Sequence, residues 1–216
     1  MELGLNNKVF ILSGGEKSLA ENLIHILSEE GAIVVVLGKN VSLNHLRHFK
    51  IAGPGEEIFL IDVELEDPVE CEKAIGDIIL KYGHIEGLVN YPEPYSEEGW
   101  DEENKESFSR IVQITLSRYF LITHFALPYL KTSRGKVINI SFESGEYANS
   151  KPSAAAINGG IQALTREWAV ELLKYEIRVN SIINKVNTAD IGNIVAFLLS
   201  EKSSHTTGQF IPVGKE

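Results

Sequence analysis

Cysteine is nearly absent from this chain. Cys71 stands alone, so neither an intrachain disulfide nor a cysteine-built metal cluster can form. A basic surplus is absent too: 20 Lys+Arg face 30 Asp+Glu, a formal charge of −10. That balance argues against a general surface for nucleic acid or anionic membrane. No apolar run approaches the roughly 20 residues that a membrane-spanning helix needs. Internal repeats, low-complexity tracts and a linker are also missing. The opening MELGLNNK lacks the basic and apolar regions of a signal peptide. A soluble cytoplasmic protein is therefore expected, with no nucleic-acid or membrane partner.

What is present is an ordinary globular composition, 44% hydrophobic and 23% charged over 216 residues, enough for one substantial core. The charge is uneven. Residues 56–106 hold 17 acidic and 3 basic side chains, a pattern that reads first as a solvated face and second as a surface for a basic partner. Short β-branched runs alternate with amphipathic helical stretches, which predicts a parallel sheet covered on both faces. Strands are expected at Val9–Leu12, Ile33–Leu37, Ile58–Ile61, Ile85–Val89, Val137–Ile140, Ile177–Ile183 and Gln209–Val213. Leu19, Leu23, Ile26 and Leu27 recur at helical spacing before a stop at Gly31. Asp67 and Pro68 predict an N-cap with proline at the first helical position, closed by Gly83. Asp190 similarly opens a helix through Leu199. The expected fold is one α/β domain over residues 1–216, a doubly wound Rossmann-like sheet of seven mainly parallel strands. Its ligands would sit at the carboxyl ends of the strands.

A set of ordered motifs narrows this further. Ser13-Gly14-Gly15-Glu16-Lys17-Ser18-Leu19-Ala20 follows the first strand, Asp62-Val63 the third, and Leu88-Val89-Asn90 ends the fourth. Ala126-Leu127-Pro128, Gly135-Lys136-Val137-Ile138-Asn139-Ile140-Ser141, Gly159-Gly160-Ile161, Ile177-Arg178-Val179-Asn180 and Thr207-Gly208-Gln209 come next. In this order and spacing the chain resembles the short-chain dehydrogenase/reductase family over nearly its whole length. Leu164–Ala169 and Ser204–Gly208 look most like sugar dehydrogenases of the L-fucose type. The resemblance implies hydride transfer between NAD(P) and a carbonyl or alcohol. A tyrosine serves there as acid/base, its pKa lowered by a lysine four residues on; a serine orients the substrate oxygen and an asparagine supports a proton relay.

Carried over position by position, those roles are lost. Ala154 stands at the tyrosine position, Asn158 at the lysine, Phe142 at the serine and Thr115 at the asparagine. No catalytic residue is therefore assigned. Tyr147 and Lys151 have the Tyr-x-x-x-Lys spacing, but Pro152 disfavours helical geometry at the lysine. The family's mobile lid after the sixth strand is also missing. Only Asn184–Ala189 separate Ile183 from the helix at Asp190.

The nucleotide site is damaged rather than erased. Gly14 keeps the tight turn, whereas Ser18 replaces a glycine that lets backbone approach a pyrophosphate. Gly38 stands where an NAD-type carboxylate belongs, and the following Lys39 could meet a 2′-phosphate, so any preference should lean to NADP. The resemblance implies NADP or NAD contacts from Ser13, Gly14, Lys17, Ser18, Leu19, Lys39, Asp62, Val63 and Asn90, with weak or absent binding and no metal. His45 and His48 lack further ligands and read as surface. The Glu97–Glu103 cluster reads as a solvated helix start, and Trp168 as core or subunit interface. The expected function is a catalytically inactive relative acting in assembly or ligand sensing. Its expected partner is itself, as a dimer or tetramer, or an active paralogue. The alternative is an NAD(P)-dependent oxidoreductase acting on a sugar or small carbonyl through displaced groups at Tyr147 and Lys151.

Overall fold

The computed structural model describes residues 2–14, 18–39, 58–91, 104–142, 152–184 and 190–214. Seven strands form one sheet: β1 (Val9–Ser13), β2 (Ile33–Gly38), β3 (Ile58–Asp62), β4 (Gly87–Asn90), β5 (Lys136–Phe142), β6 (Arg178–Asn184) and β7 (Phe210–Val213). Their order is β3-β2-β1-β4-β5-β6-β7, and every neighbouring pair is parallel. The order reverses between β1 and β4, which places the ligand crevice of a doubly wound fold above those two strands.

Helices α1 (Ser18–Glu29) and α5 (Asp190–Leu199) cover one face; α2 (Pro68–Tyr82), α3 (Lys105–Ser133) and α4 (Pro152–Glu171) cover the other. Strand alternation feeds both layers. Phe10, Leu12, Val34, Val36, Ile138 and Ile140 pack under α1 and α5, while Val9, Ile11, Val35, Leu37 and Val137 pack under α2 to α4. Burial on both sides is why these strands read as continuous apolar runs. Trp168 is half-buried and packs against the second layer. Cys71 is fully buried there as well, and burial, with nearby carboxylates, pushes its thiol up to about 12, the character of an inert packing residue.

Local signals set the helix ends. Asp67 accepts from the backbone N–H groups of Val69 (2.8 Å) and Glu70 (3.2 Å), and Pro68 opens α2. Gly83 closes it at φ 82, a left-handed angle that costs glycine little. Asn104 and Ser107 cap α3 reciprocally. At the amino end of the sheet, the buried Arg178 guanidinium donates to Leu198 O, Ser200 O and Ser203 Oγ at 2.8–2.9 Å. It thereby satisfies orphan carbonyls where α5 ends.

The carboxyl ends are tied by side chains. Asn90, fully buried, accepts from Ser13 Oγ (3.1 Å) and donates to Asn139 Oδ1 (2.8 Å) and Thr123 Oγ1 (3.2 Å). Asn139 donates on to Thr165 Oγ1 at 2.9 Å. Thr123 and Thr165 in turn donate to the carbonyls of Tyr119 and Ile161. The ladder joins β1, β4, β5, α3 and α4 and ends on helix carbonyls, so its members are satisfied. Asn90→Ala leaves three buried partners short and should cost about 2–4 kcal/mol in urea unfolding; an unchanged midpoint and slope would contradict this role.

Candidate functional site

Above the β1/β4 reversal lies a small cleft lined by Ser13, Gly14, Leu65, Tyr91, Thr115, Arg118 and Tyr119. Its floor is the end of β1. Gly14 adopts φ 79, and a Cβ there would stand 2.6 Å from the Tyr91 carbonyl oxygen. Only glycine allows this approach of the two strand ends. The turn is held by Gly14 N–H on Leu37 O (2.8 Å) and Tyr91 N–H on Ser13 O (3.0 Å).

The β2–β3 side carries the groups expected to meet a nucleotide's sugar. Gly38 pairs with Asp62 in register, and Val63 N–H donates to Gly38 O at 3.2 Å, which brings the two strand exits together. Asp62 is exposed and Val63 buried. Lys39 is ion-paired with Glu64. Glu66 pairs with Arg118 Nε at 3.1 Å. Burial raises the Glu66 carboxyl, but the Arg118 hydrogen bond and charge outweigh it and hold the group below its ordinary value.

The β4–β5 side carries different chemistry. Tyr91 and Phe142 meet edge to face, ring centroids 6.5 Å apart. Asn158, buried on α4, accepts the Phe142 backbone N–H through Oδ1 at 3.2 Å. Tyr119 OH donates to Ile140 O at 2.6 Å. Ala154 lies one turn before Asn158, and Thr115 lines the cleft. Ala154 thus presents a methyl, Asn158 an amide, Phe142 a phenyl ring and Thr115 a hydroxyl.

The predicted site residues divide three ways. Ser13, Gly14, Lys39, Asp62 and Val63 gather around the strand exits of the β1–β3 half. Asn90 is adjacent but its side chain belongs to the buried ladder. Ser18 and Leu19 begin α1, and Lys17 lies outside the described residues, as do Tyr147, Lys151, His45, His48 and Glu97–Glu103. Helix α4 begins at Pro152, after Lys151. Sequence reasoning missed Tyr91, Glu64 and the Arg118–Glu66 pair. Tyr91 was one residue beyond the quoted Leu88-Val89-Asn90 match and could have been found by extending it.

The profile of the short chain dehydrogenase family matches residues 8–193. The chain belongs to the short chain dehydrogenase family. It is 29% identical over 177 residues to bovine (Bos taurus) L-fucose dehydrogenase, covering 81% of this chain and 64% of that protein. It thus spans less than two thirds of that relative's length. It is 23% identical to the 3-oxoacyl-[acyl-carrier-protein] reductase FabG of Thermotoga maritima, across 97% of each chain. A short-chain type dehydrogenase/reductase from Mycobacterium marinum superposes with a TM-score of 0.88 at 20% identity, covering 98% of this chain and 95% of the other. This family is one of oxidoreductases that generally bind NAD(P) and are commonly oligomeric. Among the described residues no helix is long and apolar enough to cross a membrane, and no three His, Cys, Asp or Glu converge as metal ligands.

The family's NAD(P) gives a measure for these residues. Gly14, Asp62, Val63 and the Gly38–Lys39 exit suit a turn, a nucleoside and a ribose. Among the described residues of the β4–β5 half, Phe142, Ala154 and Asn158 carry no side chain that exchanges a proton. Asn158→Ala strips a partner from the Phe142 N–H and should lower stability by about 1–3 kcal/mol, measured by thermal or urea unfolding; a neutral result would mean that the contact does not hold the strand end.

Proposed function

We propose that this chain is a non-catalytic short-chain dehydrogenase that keeps the nucleoside half of its cofactor site and acts in ligand sensing or assembly. The observation that carries the proposal is the fate of Asn158. At the position where the family's lysine lowers a tyrosine's pKa, this amide is uncharged and already spent on the Phe142 backbone. A phenol would stay near its ordinary pKa beside it, and Ala154 supplies no phenol. The Tyr91–Phe142 pair occupies the side where a reacting carbonyl would need an oriented hydroxyl. The five residues between β6 and α5 are too few for a closing lid.

Dinucleotide binding is accordingly weak and contributed by the β1–β3 half. Assembly as a homo-oligomer, or with an active paralogue, is supported by apolar side chains left exposed on α3 and α4, Phe120 and Val170. A cytoplasmic location agrees with the single buried thiol.

Turnover decides between this reading and displaced chemistry. Purified protein is incubated with NAD⁺ or NADP⁺ and L-fucose, other sugars or cyclic alcohols, and with the reduced cofactors and small carbonyls. Nicotinamide absorbance should stay at the buffer rate throughout. Turnover that disappears in Tyr147→Phe would sink the proposal and make Tyr147 and Lys151 the acid/base pair.

A further inference from the structure

The rim beside β2 and β3 carries a charge arrangement that the motif positions did not disclose. Lys39, alone after Gly38, looks like a receptor for a 2′-phosphate. In the fold it is paired with Glu64. Glu64 is held in place from behind, because its own backbone N–H donates to Glu70 Oε2 at 2.7 Å. Asp62, which shares the register with Gly38, stands beside them. Between Asp62 and Glu70 the chain carries five carboxylates: Asp62, Glu64, Glu66, Asp67 and Glu70. Lys39 pairs with Glu64 of this run and Arg118 with Glu66.

We propose that Glu64 determines the nucleotide specificity of this site. By neutralising Lys39 it selects a ribose with a free 2′-hydroxyl, an NAD-type nucleotide, over a 2′-phosphorylated one. The inference rests on the half-site reading above and deepens it.

The physical reason is a competition for one ammonium. A ribose phosphate brings about −1.5 to −2 charges to the rim. To receive it, Lys39 must leave Glu64, and the freed carboxylate then repels the phosphate it was meant to admit. A 2′-hydroxyl asks for nothing of the kind, since it can donate a hydrogen bond to Glu64 or Asp62 while Lys39 stays paired. The Lys39 and Glu64 side chains are 57% and 32% exposed, so the pair contributes little to folding. Removing it changes the charge that a ligand meets without unfolding the site.

Calorimetric titration of the full chain with NADH and NADPH tests this. The wild type should bind NADH about tenfold more tightly than NADPH, the ratio expected from roughly one uncompensated charge contact. Glu64→Gln should tighten NADPH by about tenfold and move NADH by less than about threefold. Adding Lys39→Met to Glu64→Gln should abolish the gain, because the lysine is what Glu64 was masking. A wild type that prefers NADPH, or a Glu64→Gln protein with an unchanged ratio, overturns the assignment of Glu64 and leaves the half-site standing. Absence of binding by either nucleotide to both proteins overturns the half-site and this inference with it.

Discussion

The side chain of Asn90 is the point on which the rest of the molecule depends. One amide accepts from β1 and donates to β5 and α3, at the strand reversal where a doubly wound sheet opens its crevice. Strand pairing alone leaves such ends able to fray or splay. A buried amide with three partners permits one arrangement, since any slip strands polar groups in the core. The Gly14 turn then becomes possible, because Tyr91, the next residue, must bring its carbonyl oxygen to where a side chain on residue 14 would stand.

From that anchor the two halves of the crevice diverge. On the β1–β3 half stand a glycine turn, the buried Val63, and the Asp62 and Glu64 carboxylates beside Lys39. On the β4–β5 half, Phe142 and Asn158 make structural contacts. Phe142 leans its ring on Tyr91, and Asn158 ties α4 to the end of β5. These replacements support one another. An amide at position 158 uses the backbone N–H beside the ring, and the ring fills space that a hydroxyl would leave polar.

Much of this fold was legible in the sequence. Asp67, Pro68 and Gly83 bound α2 as their chemistry requires, and Asp190 through Leu199 form α5 as expected. The strand positions agree within a residue or two, most loosely at β4, where Ile85 is buried but pairing begins at Gly87. The sheet is wholly parallel rather than mainly so. Side-chain partnerships were less visible. Lys39 reads as an open cation in a one-dimensional pattern, because its partner Glu64 lies on another strand exit and within an acidic run that resembles any solvated face. The Arg118–Glu66 pair spans 52 positions and has no local signature. That position 158 holds an amide could be read from the chain. That Asn158 had acquired a new backbone partner could not, since hydrogen bonds across elements leave no periodic trace.

The most direct test is which end of a bound dinucleotide the protein touches. Saturation-transfer NMR on NADH with the full chain reports proton by proton on contact with the protein. Strong transfer to the adenine and adenosine-ribose protons, with little to the nicotinamide ring, is the result this account predicts. Transfer to the nicotinamide protons equal to or stronger than that to adenine would contradict it, and would return the β4–β5 half to the reacting site of a working dehydrogenase.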